Sequence, residues 1–274
     1  MTSSLLEHDL GLSCWEGTPG VMSRAHRHQD IEINIVEEGG LAYLFGGRYV
    51  ELGAGTTALF WAAIPHQVLS ATPDAHVWWL NLPLDTVLSW GLDRAGLDRS
   101  LRGWPVVVPQ DSSTGRFRQW STELAGGDAE LRAIALLETQ AYVRRLLYAR
   151  ETGPPPVTQR QEDGAVGQVT TMARYAARHF AERISVADVA DTVHLHPRYA
   201  MTIFRRVTGL TIGRYLEQCR VAEAERLLLT TDATVTEVAH AAGFGSVSRL
   251  YASFTAACGQ SPAAYRRTYR LPPG

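Results

Sequence analysis

Two kinds of hydrophobic spacing divide this chain. Between residues 10 and 110 the apolar positions alternate: Ile31, Ile33 and Ile35 are separated by Glu32 and Asn34. A period of two is that of a half-buried strand. Turn residues recur at Gly39-Gly40, Gly46-Gly47, Gly53, Gly55, Pro65 and Pro73-Asp74. Short strands bounded this way predict a β-barrel or jelly roll. From 115 to 150 the period changes. Trp120, Leu124, Leu131, Ile134, Leu137, Ala141 and Leu146 recur at helical steps, giving two amphipathic helices broken at Gly126-Gly127. Their apolar face has two open uses, packing on the barrel or pairing with a second subunit as a homodimer. Residues 153–167, GPPPVTQRQEDGAVG, cannot continue a helix or join a core and read as a linker.

The last hundred residues contain one unit twice. Val186, Val189 and Ala190 recur 49 residues later as Val235, Val238 and Ala239. Past a short turn the offset becomes 50, so Phe204, Gly209 and Tyr215 recur as Phe254, Gly259 and Tyr265. Each copy predicts a short helix, a sharp turn, a second helix and a glycine stop, a helix-turn-helix over 186–207 and again over 235–257. In the first, Ser185 caps, His194-Leu195-His196 turns, and Pro197 opens the second helix. Ala200, Ile203, Phe204 and Val207 share one face; Arg198, Thr202, Arg205 and Arg206 lie off it. In the second, Thr234 caps, Gly243 turns and Ser246 caps again, with Leu250 and Phe254 inward and Ser248 and Arg249 outward. The off-face Arg and hydroxyl residues, Ser246 among them, are candidates to read bases or hold phosphate. A helix over 212–229, roughly 25 Å long, separates the copies. Such a spacer can set two recognition helices about one DNA turn apart, near ~34 Å.

Charge sharpens this division. The chain carries a net −2, but residues 168–274 hold 13 Arg against 8 acidic residues, and residues 1–167 hold 13 Arg against 20. A basic C-terminal module on an acidic body suits a tail that meets phosphate. The division is then 1–152, a linker at 153–167, and a DNA-binding unit at 168–270. Three scattered cysteines, Cys14, Cys219 and Cys258, give neither a disulfide framework nor zinc spacing. No apolar run approaches the ~20 residues of a membrane span. The N-terminal MTSSLLEHDL lacks the pattern of a signal peptide. These features point to a cytoplasmic protein without membrane contact.

Residues 184–267 resemble the C-terminal domain of the AraC/XylS family of bacterial transcription regulators. The ending AAGFGSVSRLYASFTAACGQSPAAYRR carries the family's Gly-Phe turn, inward Phe254, the Gly259 stop, and Pro262 with Tyr265. The first copy departs from the pattern: His194 stands where Gly is frequent and His196 where a Ser cap is usual, which predicts a weakened cap. LHPRYAMTIFRRV, GFGSVSRLYASF, TTALFWAAIPHQV and WLNLPLDTVLSW further resemble the melibiose-operon regulator branch. That resemblance implies an activator of sugar-utilisation genes that answers to an α-galactoside, with promoter DNA and RNA polymerase as partners.

The N-terminal half is similar to a cupin barrel. Gly20, His26, His28, Glu32 and Gly39 have the spacing of the first cupin motif, and His66 after Pro65 stands where the second supplies its last ligand. Three His and a carboxylate suit a divalent metal, which would make the chain a metal-dependent cupin enzyme with a DNA-binding tail. Against this, Ser70 replaces the second motif's usual Asn, and sensor domains of the resembled family generally carry no metal. The reading is therefore α+β: an N-terminal cupin-like barrel with a helical pair, then an all-α domain with two helix-turn-helix motifs. No catalytic residue and no cofactor is assigned. His26, His28, Glu32 and His66 are expected to bind a small sugar with Trp61 or Trp78, since an aromatic face stacks on a sugar ring. Trp78 and Trp79 are adjacent, so at most one of them lines a pocket. A constitutive repressor whose barrel only dimerises is a third reading.

Overall fold

The computed structural model describes residues 11–92, 94–109, 115–152 and 164–269. Eight strands come first: β1 Ser13–Gly17, β2 Ile31–Glu38, β3 Gly40–Phe45, β4 Arg48–Gly53, β5 Thr56–Trp61, β6 His66–Ala71, β7 His76–Leu82 and, after helices α1 Leu84–Ser89 and α2 Arg94–Leu101, β8 Val106–Pro109. They form two antiparallel sheets, ordered β1-β7-β2-β5-β8 and β4-β3-β6. Val36, Tyr43, Phe45, Phe60, Val68 and Val77 fill the space between them.

The alternation in β2 decides what each face of the larger sheet meets. Glu32 and Asn34 turn toward the inner side. Ile31, Ile33 and Ile35 turn outward, where they are fully buried under α1–α2 and a helical pair, α3 Gly115–Ala125 and α4 Ala129–Thr152. The pair is broken at Gly126-Gly127. Its buried side corrects the sequence expectation. Ala135, Thr139, Tyr142, Val143 and Leu146 of α4 face the barrel, whereas Leu131, Ile134 and Leu137 are 43%, 38% and 66% exposed. The smaller residues permit close approach to the sheet, and the larger apolar stripe is left outside.

The C-terminal half is helical: α5 Gly164–His179, α6 Val186–Asp191, α7 Pro197–Thr208, α8 Ile212–Thr230, α9 Val235–Ala241, α10 Val247–Cys258 and α11 Pro262–Tyr269. Helix α5 takes in residues 164–167, which the sequence assigned to the linker; the remainder of that linker lies outside the described residues. Val169, Met172, Ala173 and Ala176 bury one side of α5 in the core of α6–α8.

The two halves are packed on each other. Ala25 and Leu44 of the barrel join the core of α5–α8. Ala25 N donates to Thr208 O at 2.8 Å, and Gln67 Nε2 donates to Val207 O at 2.8 Å. Gly209 (φ 67°) closes α7 against this seam; a Cβ there would lie 2.7 Å from Ser23 O and 2.8 Å from Arg24 Cα. At the centre, Arg27 Nη2 meets Glu225 Oε2 of α8 at 2.5 Å, with the two side chains 9% and 0% exposed. Gln29 Nε2 (3.5 Å) and Cys258 Sγ (2.7 Å) donate to the other carboxylate oxygen.

Removing one partner of a buried pair leaves an uncompensated charge, which costs about 3–5 kcal/mol, whereas replacing both with apolar groups is often neutral. Glu225→Ala should therefore lower stability in chemical denaturation by about that amount. The double variant Arg27→Met, Glu225→Leu should recover most of it.

Candidate functional site

The two helix-turn-helix units are built alike. Ser185 and Asp188 form a capping box at α6, and Thr234 and Glu237 form the same box at α9. The first turn passes through His194 at φ 55°, the second through Gly243 at φ 78°. His therefore stands in a left-handed conformation that glycine adopts without strain. At His196, where a weakened cap was expected, the ring Nδ1 accepts from Arg198 N at 3.3 Å. Ser246 accepts from Arg249 N at 3.3 Å in the second unit. Gly209 and Gly259 end α7 and α10 at φ 67° and 69°. Behind them Phe204 meets Tyr215 edge-on at 5.5 Å, and Phe254 meets Tyr265 at 5.2 Å. One packing unit is thus repeated at an offset of 50.

These caps aim α7 and α10 outward. Ala200, Ile203 and Phe204 are buried on α7 and Leu250 and Phe254 on α10. Arg198, Thr202, Arg205, Arg206, Ser246, Ser248 and Arg249 are all exposed. The Ser246 hydroxyl already serves as a cap, and Thr202 Oγ1 donates to Arg198 O at 2.9 Å. Packing against the barrel leaves both outward faces open. Large residues missed from the sequence share them: Tyr199, Met201 and Tyr251 are 52%, 43% and 38% exposed. The repeat held the signal. At an offset of 50, Tyr199 corresponds to Arg249 and Met201 to Tyr251. Apolar and aromatic groups at such positions can pack on thymine methyls.

In the barrel, His26 and His28 lie just ahead of β2, Glu32 on β2 and His66 at the start of β6. Mutual backbone hydrogen bonds of 3.0 Å join His26 to His66. The cluster comes together as expected. His28 Nε2 is 3.1 Å and His66 Nε2 3.5 Å from Glu32 Oε2, and His28 Nδ1 is 3.4 Å from Asp30 Oδ2. The His26 and His66 rings are 4.2 Å apart. His66 Nδ1–H donates to Ile64 O at 2.9 Å, which turns Nε2 toward Glu32. Asn34 Nδ2 holds the second Glu32 oxygen at 2.8 Å, and Tyr43 OH holds Asn34 Oδ1 at 2.8 Å. Burial and the neighbouring His66 charge push His26 down to about 2. Burial also pulls His28 down, but its bonds to Asp30 and Glu32 prevail and raise it to about 9. For Glu32 burial acts upward, yet the bonds from His28 and His66 hold its carboxyl well below the usual range.

Ring nitrogens of His26, His28 and His66 lie within 4.8 Å of one another. The three imidazoles are a donor set that suits a divalent transition ion, whose chemistry would be to polarise a bound oxygen, and Glu32 lies beside two of them. The tryptophan expectation is corrected. Trp61 pairs with Ile31 and Trp78 with Ile35, on the outer face of the sheet. They are 0% and 1% exposed beneath the helices, with Trp78 6.3 Å from Phe117. Register turns Trp79 instead to the face of Glu32, opposite Asn34, where its ring stacks on Trp15 at 5.9 Å.

A β-barrel packed on a domain with two helix-turn-helix units, whose second helices are exposed, is the architecture of a DNA-binding regulator. The chain matches the helix-turn-helix domain family over residues 189–268 and the cupin domain family over residues 15–83. It is 30% identical over 260 residues to the melibiose operon regulatory protein of Escherichia coli (strain K12), covering 91% of this chain and 85% of that one. It is 26% identical over 255 residues to the transcriptional activator RhaS of Enterobacter sp. (strain 638), covering 88% and 87%. The DNA-binding domain of AdpA, solved with a target DNA, is 35% identical over 37% of this chain and 92% of its own, at a TM-score of 0.36. The protein belongs to the AraC family of DNA-binding transcription regulators. No helix among the described residues is long and apolar enough to cross a membrane.

Arg249→Ala should cost roughly 1–3 kcal/mol of operator affinity and relax preference at one base position. Arg205→Ala should weaken binding to all sequences alike and flatten the salt dependence. Site selection with each variant separates a base reader from a phosphate contact.

Proposed function

We propose that this regulator activates sugar-utilisation genes in response to a small sugar of the α-galactoside class. Its barrel would bind the effector, and α7 and α10 would enter successive major grooves of promoter DNA. Similarity over most of the chain to a melibiose operon regulator, and to an activator, supports the effector class and the sign. RNA polymerase is the partner an activator requires. The exposed Leu131, Ile134 and Leu137 stripe of α4 offers a second copy of the chain a face to pair with.

One observation carries the sensing mechanism. A single short segment inserts His26 and His28 into the barrel cluster and Arg27, between them, into the DNA-binding domain. Phe45 and Phe60 fill the barrel beneath His66, with ring separations of 6.3 and 5.2 Å. A sugar must therefore bind at the mouth, where Glu32 and the imidazoles can bond its hydroxyls and Trp79 is one of the aromatic rings on the Glu32 face. Entry there shifts the segment and so the Arg27–Glu225 pair. The effector then acts by its different affinity for the docked and shifted arrangements.

The His and Glu donor set favours a second reading, a metal-dependent cupin enzyme with a DNA-binding tail. One experiment separates the two. Melibiose at 100 times its dissociation constant should add about 2.7 kcal/mol of stability and change operator affinity, and His28→Ala should abolish both effects. One tightly held transition metal per purified chain, lost in His28→Ala, would overturn the sugar assignment.

A further inference from the structure

A second cleft lies outside the barrel, where the β3–β4 turn and the end of α2 face α5 and α8. Its volume is about 90 Å³, well above the ~10–15 Å³ that one water needs. Arg48 and Arg102 enter it from the sensor half, and Arg174, Arg178 and Glu223 from the DNA-binding half. Two of these charges are already matched. Arg102 pairs with Asp98 at 2.5 Å, and Glu223 pairs with Arg226 through contacts of 2.6 and 2.8 Å.

The other three are not matched. Among the described residues no carboxylate pairs with Arg48, Arg174 or Arg178. Arg48 lies over the Trp104 ring at 3.9 Å and donates Nη1–H to Gly103 O at 2.6 Å, which fixes its guanidinium in place. Arg174 Nε is buried without a hydrogen-bond partner. Arg174 and Arg178, four residues apart on α5, share a helix face. Burial weakens the hold of Arg48 on its proton, and the charges of Arg178 and Arg174 weaken it further. The backbone holds these like charges together: Gly47, at φ 76°, sits so close to α5 that a Cβ would lie 2.4 Å from Arg174 Cα. Arg48 and Arg174 are half-buried and Arg178 is exposed at the rim, and holding such like charges together is unfavourable unless an anion is placed among them.

We propose that this cleft binds a phosphate group, presented either as orthophosphate or as the phosphate monoester of a small metabolite. Planar guanidinium forks match phosphate oxygens in pairs, and the volume admits a tetrahedral oxyanion but not a nucleic-acid duplex. The anion cancels the repulsion between Arg48 on one half and Arg174 and Arg178 on the other. It thereby holds the sensor against the DNA-binding helices. The site is separate from the His cluster and does not depend on what the barrel binds.

Calorimetric titration of the full chain in phosphate-free buffer tests this, with orthophosphate, a hexose monophosphate and the same unphosphorylated hexose as probes. The expected result is saturable binding of one phosphate-bearing ligand per chain, weakened at least about tenfold in Arg178→Gln and in Arg48→Gln. The tighter of the two phosphate probes identifies the natural source. Arg178→Gln should melt no lower than the parent without phosphate, because it removes repulsion and breaks no bond. Saturation by neither phosphate probe, undiminished binding in both variants, or a lower melting point for Arg178→Gln would each overturn the proposal.

Discussion

A carboxylate with no exposure, in the C-terminal half of α8, determines how the two halves of this molecule meet. This is Glu225: Arg27 reaches across from the barrel to pair with it, and among the described residues no second ion pair is formed by either group. Buried ions without partners are strongly unfavourable. The pair therefore specifies the docking geometry more than it contributes net stability. Its position gives it further consequence. Arg27 is flanked by two histidines of the barrel cluster, and α8 is the rod between the two helix-turn-helix units. A displacement at one end of this chain of contacts has little room to dissipate before the other.

The DNA-binding half was legible because its determinants are local and occur twice. Caps, a turn, a glycine stop and an aromatic pair recur at fixed offsets, and each has a direct structural counterpart. At His196 a weakened cap was expected; the imidazole Nδ1 accepts from Arg198 N and supplies one in place of the usual serine. The barrel cluster was legible from its motif spacing, although His26 and His28 lie ahead of β2 and a backbone bridge from His26 to His66, rather than strand alternation, brings them to Glu32.

What remained hidden depends on contacts distant in sequence. The choice between Trp78 and Trp79 is made by the register of β7 on β2, which sets Trp79 opposite Asn34 and Trp78 opposite Ile35. Periodicity alone assigns two faces but not which is inner. Helix α4 misled in the same way. Its largest apolar residues suggested the packed face, but the sheet accepts Ala135 and Thr139 at close range and leaves Leu137 outside. The docking of the halves through Arg27 and Glu225, 198 residues apart, leaves no periodic trace.

Hydrogen exchange of the full chain, with and without an α-galactoside, tests the proposed coupling most directly. The account predicts that amides of the segment holding His26, Arg27 and His28 change protection on binding, and that those of α8 around Glu225 change with them. Protection that changes at the barrel mouth while the Glu225 turn of α8 stays as it was would contradict it.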